Sequence, residues 1–283
     1  MENLEVAVSG LVFDVDVAGA AGAPLVLLLH GFPQTSHAYR HELPALASAG
    51  FRAVAPNQRG YSPGARPAAV SDYAVAALTR DALNIADHFG AKQFHLVGHD
   101  WGGQLAWLIA AQHPERIRSL CVLSRPHPAA FSGAMRDDPA QSQRSRHHRA
   151  FQDPDTARKL LEENARRFRR NLRDQQVPDA DIDAYLLRLG DERALDAALN
   201  WYRAAVSGER AAAVPAVHVP TLYIWGDADA TVGRAAAEAT ARHVDAPYRF
   251  MPIEGAGHFL TDDVGERVTA AVVEHVLLRE AAK

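Results

Sequence analysis

Short apolar runs alternate with stretches of helical spacing along most of the chain. Leu25–Leu29 is unbroken aliphatic sequence, the pattern of a strand buried on both faces of a parallel sheet. Residues 51–55, 94–97, 117–123, 221–225 and 248–253 read as further strands. Near the start, residues 5–8 and 11–17 flank Ser9-Gly10 and predict a hairpin at the sheet edge. Between the strands the period lengthens. A helix is expected over 41–49, stopped by Gly50. Another is expected over 74–89, with Leu78, Ala82, Ile85 and Phe89 on one stripe. Residues 104–113 carry Leu105, Leu108 and Ile109 at helical spacing. Strands and helices in strict alternation predict a right-handed, mostly parallel α/β sheet.

The alternation stops after Ser124. Residues 125–215 contain no convincing strand, only helical stretches rich in charge, proline and alanine, of which 155–172 and 179–189 are the clearest. The strand pattern then resumes, and a helix over 264–278 closes the chain. The expected organisation is a core of residues 1–124 and 216–283 interrupted by a helical cap, 125–215. The basic run Arg166-Arg167-Phe168-Arg169-Arg170 is most simply the solvated face of a cap helix.

Composition narrows the field without choosing a chemistry. At 283 residues the chain holds one large domain or a core with an insertion. Apolar residues make up 48% and charged residues 23%, with a net charge of −4, so no basic excess points to nucleic acid. No signal peptide is visible, and no apolar run approaches the length that crosses a bilayer. The single Cys121 rules out an internal disulfide and any cysteine-based metal cluster; it sits in an apolar strand run and is expected to be buried. A cytoplasmic protein without cofactor or metal, monomeric or homodimeric, is expected.

Chemistry enters at Gly98-His99-Asp100-Trp101-Gly102-Gly103. A strand, a glycine turn and a helix form the setting in which Gly-x-Ser-x-Gly presents a nucleophile above a sheet. Here the middle residue is Asp100. An aspartate in water titrates at about 3.9 and is ionised at pH 7. Its carboxylate suits displacement at a saturated carbon bearing a strained or good leaving group, such as an epoxide or alkyl halide. The bland alternative is a turn aspartate that caps the next helix. Two further turns leave strand ends: Gly226-Asp227-Ala228-Asp229 and Glu254-Gly255-Ala256-Gly257-His258. Chain order then places nucleophile, acid and base as Asp100, Asp229 and His258. Asp227 competes with Asp229, and a turn role suits whichever is not the acid.

Four segments together resemble the α/β-hydrolase-fold epoxide hydrolases: His30-Gly31-Phe32-Pro33, the Asp100 turn, Asn200-Trp201-Tyr202-Arg203 and Gly257-His258. The Asp turn is shared with haloalkane dehalogenases, while the His-Gly-Phe-Pro turn and the Trp-Tyr-Arg motif look more like the epoxide branch. The resemblance implies a mostly parallel central sheet with an inserted helical cap and a small hydrophobic epoxide as substrate. It implies Asp100 as nucleophile, His258 as base and Asp229 as its orienter, with the amides of Phe32 and Trp101 as oxyanion hole. It also implies a cis Phe32–Pro33 bond and Tyr202 as a cap donor to the epoxide oxygen. The second donor of the family is a tyrosine where this chain has His147. The family more often has Asp where Asn57 stands, in a loop read as structural. The alternatives are a haloalkane dehalogenase, although Phe32 stands where a halide-binding Asn would be, and a ligand-binding receptor on a hydrolase scaffold.

Overall fold

The computed structural model describes residues 1–207 and 214–281. Eight strands form one sheet: β1 (Glu2–Val8), β2 (Leu11–Ala18), β3 (Leu25–Leu29), β4 (Arg52–Pro56), β5 (Phe94–His99), β6 (Ile117–Leu123), β7 (Thr221–Gly226) and β8 (Tyr248–Ile253). Their spatial order is β1-β2-β4-β3-β5-β6-β7-β8. The hairpin β1–β2 is antiparallel and β2 runs antiparallel to β4; every other pair is parallel. This is the α/β arrangement that the apolar runs predict. The central strands β3 and β5 are buried along their whole length, as sequence apolar on both faces requires. Helices α1 (Glu42–Ser48), α2 (Val75–His88) and α3 (Trp101–Gln112) follow β3, β4 and β5. The sheet divides two apolar clusters, one around Leu27, Leu96 and Trp107, the other around Leu28, Val97 and Leu260. Cys121 is buried and free.

Between β6 and β7 the described residues form six helices, α4 (Pro128–Asp137), α5 (Pro139–Arg144), α6 (His147–Ala150), α7 (Thr156–Arg173), α8 (Asp179–Leu189) and α9 (Glu192–Ser207), and a single β-bridge from Val217 to Val244. After β7 come α10 (Arg234–Ala239), then β8, α11 (Leu260–Asp263) and α12 (Gly265–Glu280). The helix expected over 155–172 is not continuous. Glu162 is extended, and Glu163, Asn164 and Ala165 all lie in the left-handed region, at φ 50°, 55° and 57°. No glycine or proline marks the break. Its effect is in packing, since Leu160 before it and Phe168 and Leu172 after it face the same cavity.

The insertion is tied to the core by polar bonds around its rim. Arg40 bridges Asp181 of α8 and Asp262 of α11, at 2.7 and 3.0 Å, and Tyr185 donates to Asp262 at 2.7 Å. Arg188 pairs with Asp14 of β2. The Trp201 indole of α9 donates to the Arg59 carbonyl at 2.8 Å, and Arg59 makes a buried bidentate pair with Asp81 of α2. The loop after β4 is fastened within the core: Asn57 Oδ1 accepts from the Ser36 amide at 3.0 Å, and Gln58 donates to the His30 carbonyl at 2.7 Å.

The turn after β5 works only with glycine at its corners. A Cβ on Gly102 would lie 2.0 Å from the Leu29 carbonyl oxygen, and one on Gly98 would lie 2.4 Å from the Gly102 carbonyl oxygen. Both neighbours are backbone and cannot swing away. Gly102→Ala should therefore destabilise the fold by at least about 2 kcal/mol in urea unfolding. Gly133 in α4 has no atom closer than 3.9 Å to such a Cβ, so Gly133→Ala should be neutral or stabilise by up to about 1 kcal/mol. Equal stability of the two variants would contradict this account of the turn.

Candidate active site

Asp100 sits between β5 and α3 with φ 49° and ψ −114°, a conformation few non-glycine residues adopt. Its side chain makes no capping bond to α3, which removes the helix-cap reading. Gly31 lets the β3 loop press against it, since a Cβ there would lie 2.4 Å from Asp100 Cβ. The Phe32 amide donates to Asp100 Oδ1 at 3.1 Å. Trp101 opens α3, so its N–H has no partner within the helix, and it makes no hydrogen bond among the described residues. The Phe32–Pro33 bond is cis. His30 holds this loop through its ring: Nδ1 meets the Gly31 carbonyl at 3.0 Å and Nε2 accepts from the Gln58 amide at 3.2 Å.

His258 and Asp229 reach Asp100 from the ends of β8 and β7. His258 Nδ1 lies 2.9 Å from Asp229 Oδ2, and Nε2 lies 3.6 Å from Asp100 Oδ2. All three side chains are buried. The other oxygen of Asp229 accepts from the amides of Thr231 and Val232, at 2.6 and 2.9 Å. Ser124 Oγ donates to Asp229 Oδ2 at 2.5 Å. Asp227 points elsewhere, accepting from the Gly255 amide at 2.7 Å in the turn after β8. His99 Nε2 lies 2.9 Å from the His258 carbonyl and fixes the loop from below.

Charge is concentrated here. Burial alone would lower the His258 pKa, but the Asp229 and Asp100 carboxylates outweigh it and raise it to about 10. Burial alone would raise both carboxylates, but the facing imidazolium and its hydrogen bonds hold Asp100 and Asp229 below the usual range. The resting arrangement is thus an imidazolium between two carboxylates. His99, lowered to about 4 chiefly by burial, stays neutral.

Above Asp100 and His258 lies a cavity of about 400 Å³. Tyr202 of α9 and His147 of α6 line it, beside an apolar wall that includes Phe151, Leu160 and Phe168. Tyr202 packs edge-on to Phe32, Trp101 and Phe151, with centroids 5.4, 5.2 and 4.8 Å away. Burial and the Asp100 charge push its phenol well above the ordinary pKa, so it keeps its proton and can donate. His147 is half-buried, 6.2 Å from the Tyr202 ring, and its pKa is lowered, chiefly by burial. Its Nδ1 lies 3.2 Å from the Arg144 carbonyl, which accepts the Nδ1 proton. In that tautomer neutral His147 carries no proton on Nε2. Of the residues singled out in the sequence, Phe32, Asp100, His147, Tyr202 and His258 line this cavity, Asp229 lies behind His258 and Trp101 packs against Tyr202, while Asp227 is turned away. Ser124 was not among them; a lone serine at a strand end carries no periodic or motif signal.

An aspartate on a sharp strand–helix turn, with an imidazole and second carboxylate at neighbouring strand ends beneath a helical insertion, defines an α/β hydrolase. Residues 24–263 match the alpha/beta hydrolase fold family. The chain is 34% identical to mouse epoxide hydrolase 4 over 278 residues, covering 93% of this chain and 76% of that protein. It is 32% identical to epoxide hydrolase A of Mycobacterium tuberculosis over 313 residues, covering 94% of each. A solved structure from a set of novel epoxide hydrolases found in metagenomes from hot environments superposes with a TM-score of 0.84 at 28% identity, over 97% of this chain and 98% of that one. The chain belongs to the epoxide hydrolase family of α/β hydrolases. Among the described residues, no helix is long and apolar enough to cross a membrane, and no group of three or more His, Cys, Asp or Glu side chains could hold a metal.

The raised His258 pKa has a sign that can be measured. A group whose pKa rises on folding contributes stability fully below its unfolded value of 6.5 and loses it as pH rises through about 10. Histidine NMR of the free protein should show His258 still protonated at about pH 8. Asp100→Asn removes one of the two carboxylates and should lower the His258 midpoint by at least about one unit. A wild-type midpoint near that of an ordinary histidine would remove the imidazolium between two carboxylates.

Proposed function

We propose that the protein hydrolyses epoxides to vicinal diols through an alkyl ester on Asp100. The observation that carries this reading is the Asp100 carboxylate itself. It faces the cavity instead of capping α3, with Oδ1 on the Phe32 amide and Oδ2 turned toward His258. In the first step Oδ2 attacks an epoxide carbon and the carbon–oxygen bond breaks. Tyr202 donates to the oxygen as charge develops on it, an interaction strongest in the transition state. Esterification removes the Asp100 charge and with it part of what keeps His258 protonated. The proton that His258 then releases balances the one taken up by the opened oxygen.

In the second step neutral His258 takes a proton from water, which attacks the ester carbonyl. Oδ1 becomes the oxyanion, already beside the Phe32 amide, with the free Trp101 amide as second donor; each such donor can contribute a few kcal/mol. Collapse of the tetrahedral intermediate releases the diol and regenerates the carboxylate and imidazolium. Asp229 remains ionised throughout and keeps the Nδ1 proton in place. The names of the relatives support the same substrate class. A halide site is disfavoured, because the Trp201 N–H is taken by the Arg59 carbonyl and Phe32 supplies no side-chain donor. A cytoplasmic location, and a monomeric or homodimeric state, are part of the same proposal.

Covalent catalysis labels the diol in a specific way. A single turnover in water enriched in heavy oxygen should give largely unlabelled diol and leave the label in the Asp100 peptide. In His258→Gln the ester should form and persist, raising the intact mass by that of one substrate. Fully labelled diol in the first turnover would exclude the ester.

The cap donors can be separated by rate and pH. Tyr202→Phe should slow alkylation by at least about tenfold, or about 1.4 kcal/mol, without loss of folding. His147→Phe should cost less. With its Nδ1 proton on the Arg144 carbonyl, neutral His147 has no free donor, so in that tautomer its contribution belongs to the protonated form and falls as pH rises through a pKa below 6.5. That limb should be absent from His147→Phe. Unchanged alkylation in Tyr202→Phe would dismiss its assignment as a donor.

A further inference from the structure

We infer that Ser124 is a positioning residue for the Asp229–His258 pair: its hydroxyl shares the carboxylate oxygen that holds the imidazole and so limits how tightly the imidazole is bound. The inference rests on the roles proposed above for Asp229 and His258. Ser124 follows β6 directly and is fully buried. Its φ is 66°, in the left-handed region that a serine seldom enters. Two neighbours fix it there: the Ser124 amide donates to the Ile224 carbonyl at 2.8 Å, and the Tyr223 hydroxyl donates to the Ser124 carbonyl at 2.8 Å. A strained backbone clamped by the adjacent strand delivers one side-chain atom to one place.

That atom, Oγ, lies 2.5 Å from Asp229 Oδ2, 3.0 Å from His258 Nδ1 and 3.2 Å from the His258 carbonyl. A hydroxyl has one proton, and the carboxylate is the nearest and strongest acceptor. The Nδ1 proton of His258 then faces two oxygens, Asp229 Oδ2 at 2.9 Å and Ser124 Oγ at 3.0 Å. With Thr231 and Val232 on Oδ1, Asp229 accepts four hydrogen bonds, and its charge is divided among them. Without the hydroxyl, Oδ2 would serve His258 alone. The imidazolium would be held more tightly, and the neutral base would be scarcer at a given pH. Among the described residues, Asp100 on the turn after β5, His99 at the end of β5 and His147 of α6 act on or lie beside His258, Arg144, Arg146 and Asp174 line the same cavity, and the substitution alters none of them.

The test uses Ser124→Ala, with Ser124→Gly as a second variant that removes the hydroxyl and relieves the backbone. Ser124→Asn is the rescue, because Asn tolerates the left-handed region and its amide can donate. The first readout needs no substrate: the His258 midpoint in the free protein, by histidine NMR. It should rise by at least about half a unit in the Ala and Gly variants and return in the Asn variant. In a substrate assay the acidic limb of ester hydrolysis should move up by the same amount, with alkylation within about twofold of wild type. A midpoint unchanged in both folded variants would overturn the inference, as would failure of Asn to restore it. If the wild type turned over no epoxide, the function would fall while the NMR result still decided the role of Ser124.

Discussion

Two carboxylates are buried within reach of one imidazole, and the positive charge between them makes their burial tolerable. An isolated carboxylate out of water would take up a proton. With His258 2.9 Å from Asp229 and 3.6 Å from Asp100, both stay ionised, and the histidine stays charged until one of them changes. Under the proposed mechanism the first chemical step makes that change. Attack converts Asp100 from a charge into a neutral ester, and the same event turns His258 from an imidazolium into a usable base. The pair of steps needs no separate switch.

The fold places these groups by bringing three parallel strands to a common end. β5, β7 and β8 each finish in a short turn that carries one member, and β6 lies between β5 and β7 in the sheet. The turns are interlocked. The His258 carbonyl accepts from His99 on β5, and the Ala228 and Asp227 amides beside the acid are bonded to carbonyls of Ala256 and Ile253 beside the base. Displacing one member therefore displaces its neighbours.

Much of this was legible in the chain. The strands buried along most of their length, β3 to β7, stand out as largely apolar runs, whereas the edge strand β8 is buried only at Ile253. The Asp100 turn announces itself because backbone contacts at 2.0 and 2.4 Å leave room only for glycine at Gly102 and Gly98. The preference for Asp229 over Asp227 came from the family resemblance, and spacing alone could not make it. The orientation of the two turns separates them, with Asp227 turned to the Gly255 amide. The break at 162–165 left no trace in the sequence, because no glycine or proline marks it. Ser124 was equally silent: its burial and its backbone angle are imposed by the neighbouring strand β7.

The cap is bonded to the loop that carries the acid as well as to the body of the core. From α5, Arg144 donates to the Asp229 carbonyl at 2.7 Å, and Gln141 bonds both the Thr231 carbonyl and the Gly233 amide, at 2.9 and 2.8 Å. Swinging that end of the cap outward cannot leave Asp229 untouched. On this side the roof of the cavity and the Asp229 carboxylate behave as one mechanical part. Under the proposed mechanism, a guest bulky enough to prise α5 away from the sheet would loosen Asp229 in the act of fitting, and would be discriminated against as a poorly processed ester even where it is well accommodated as a ligand.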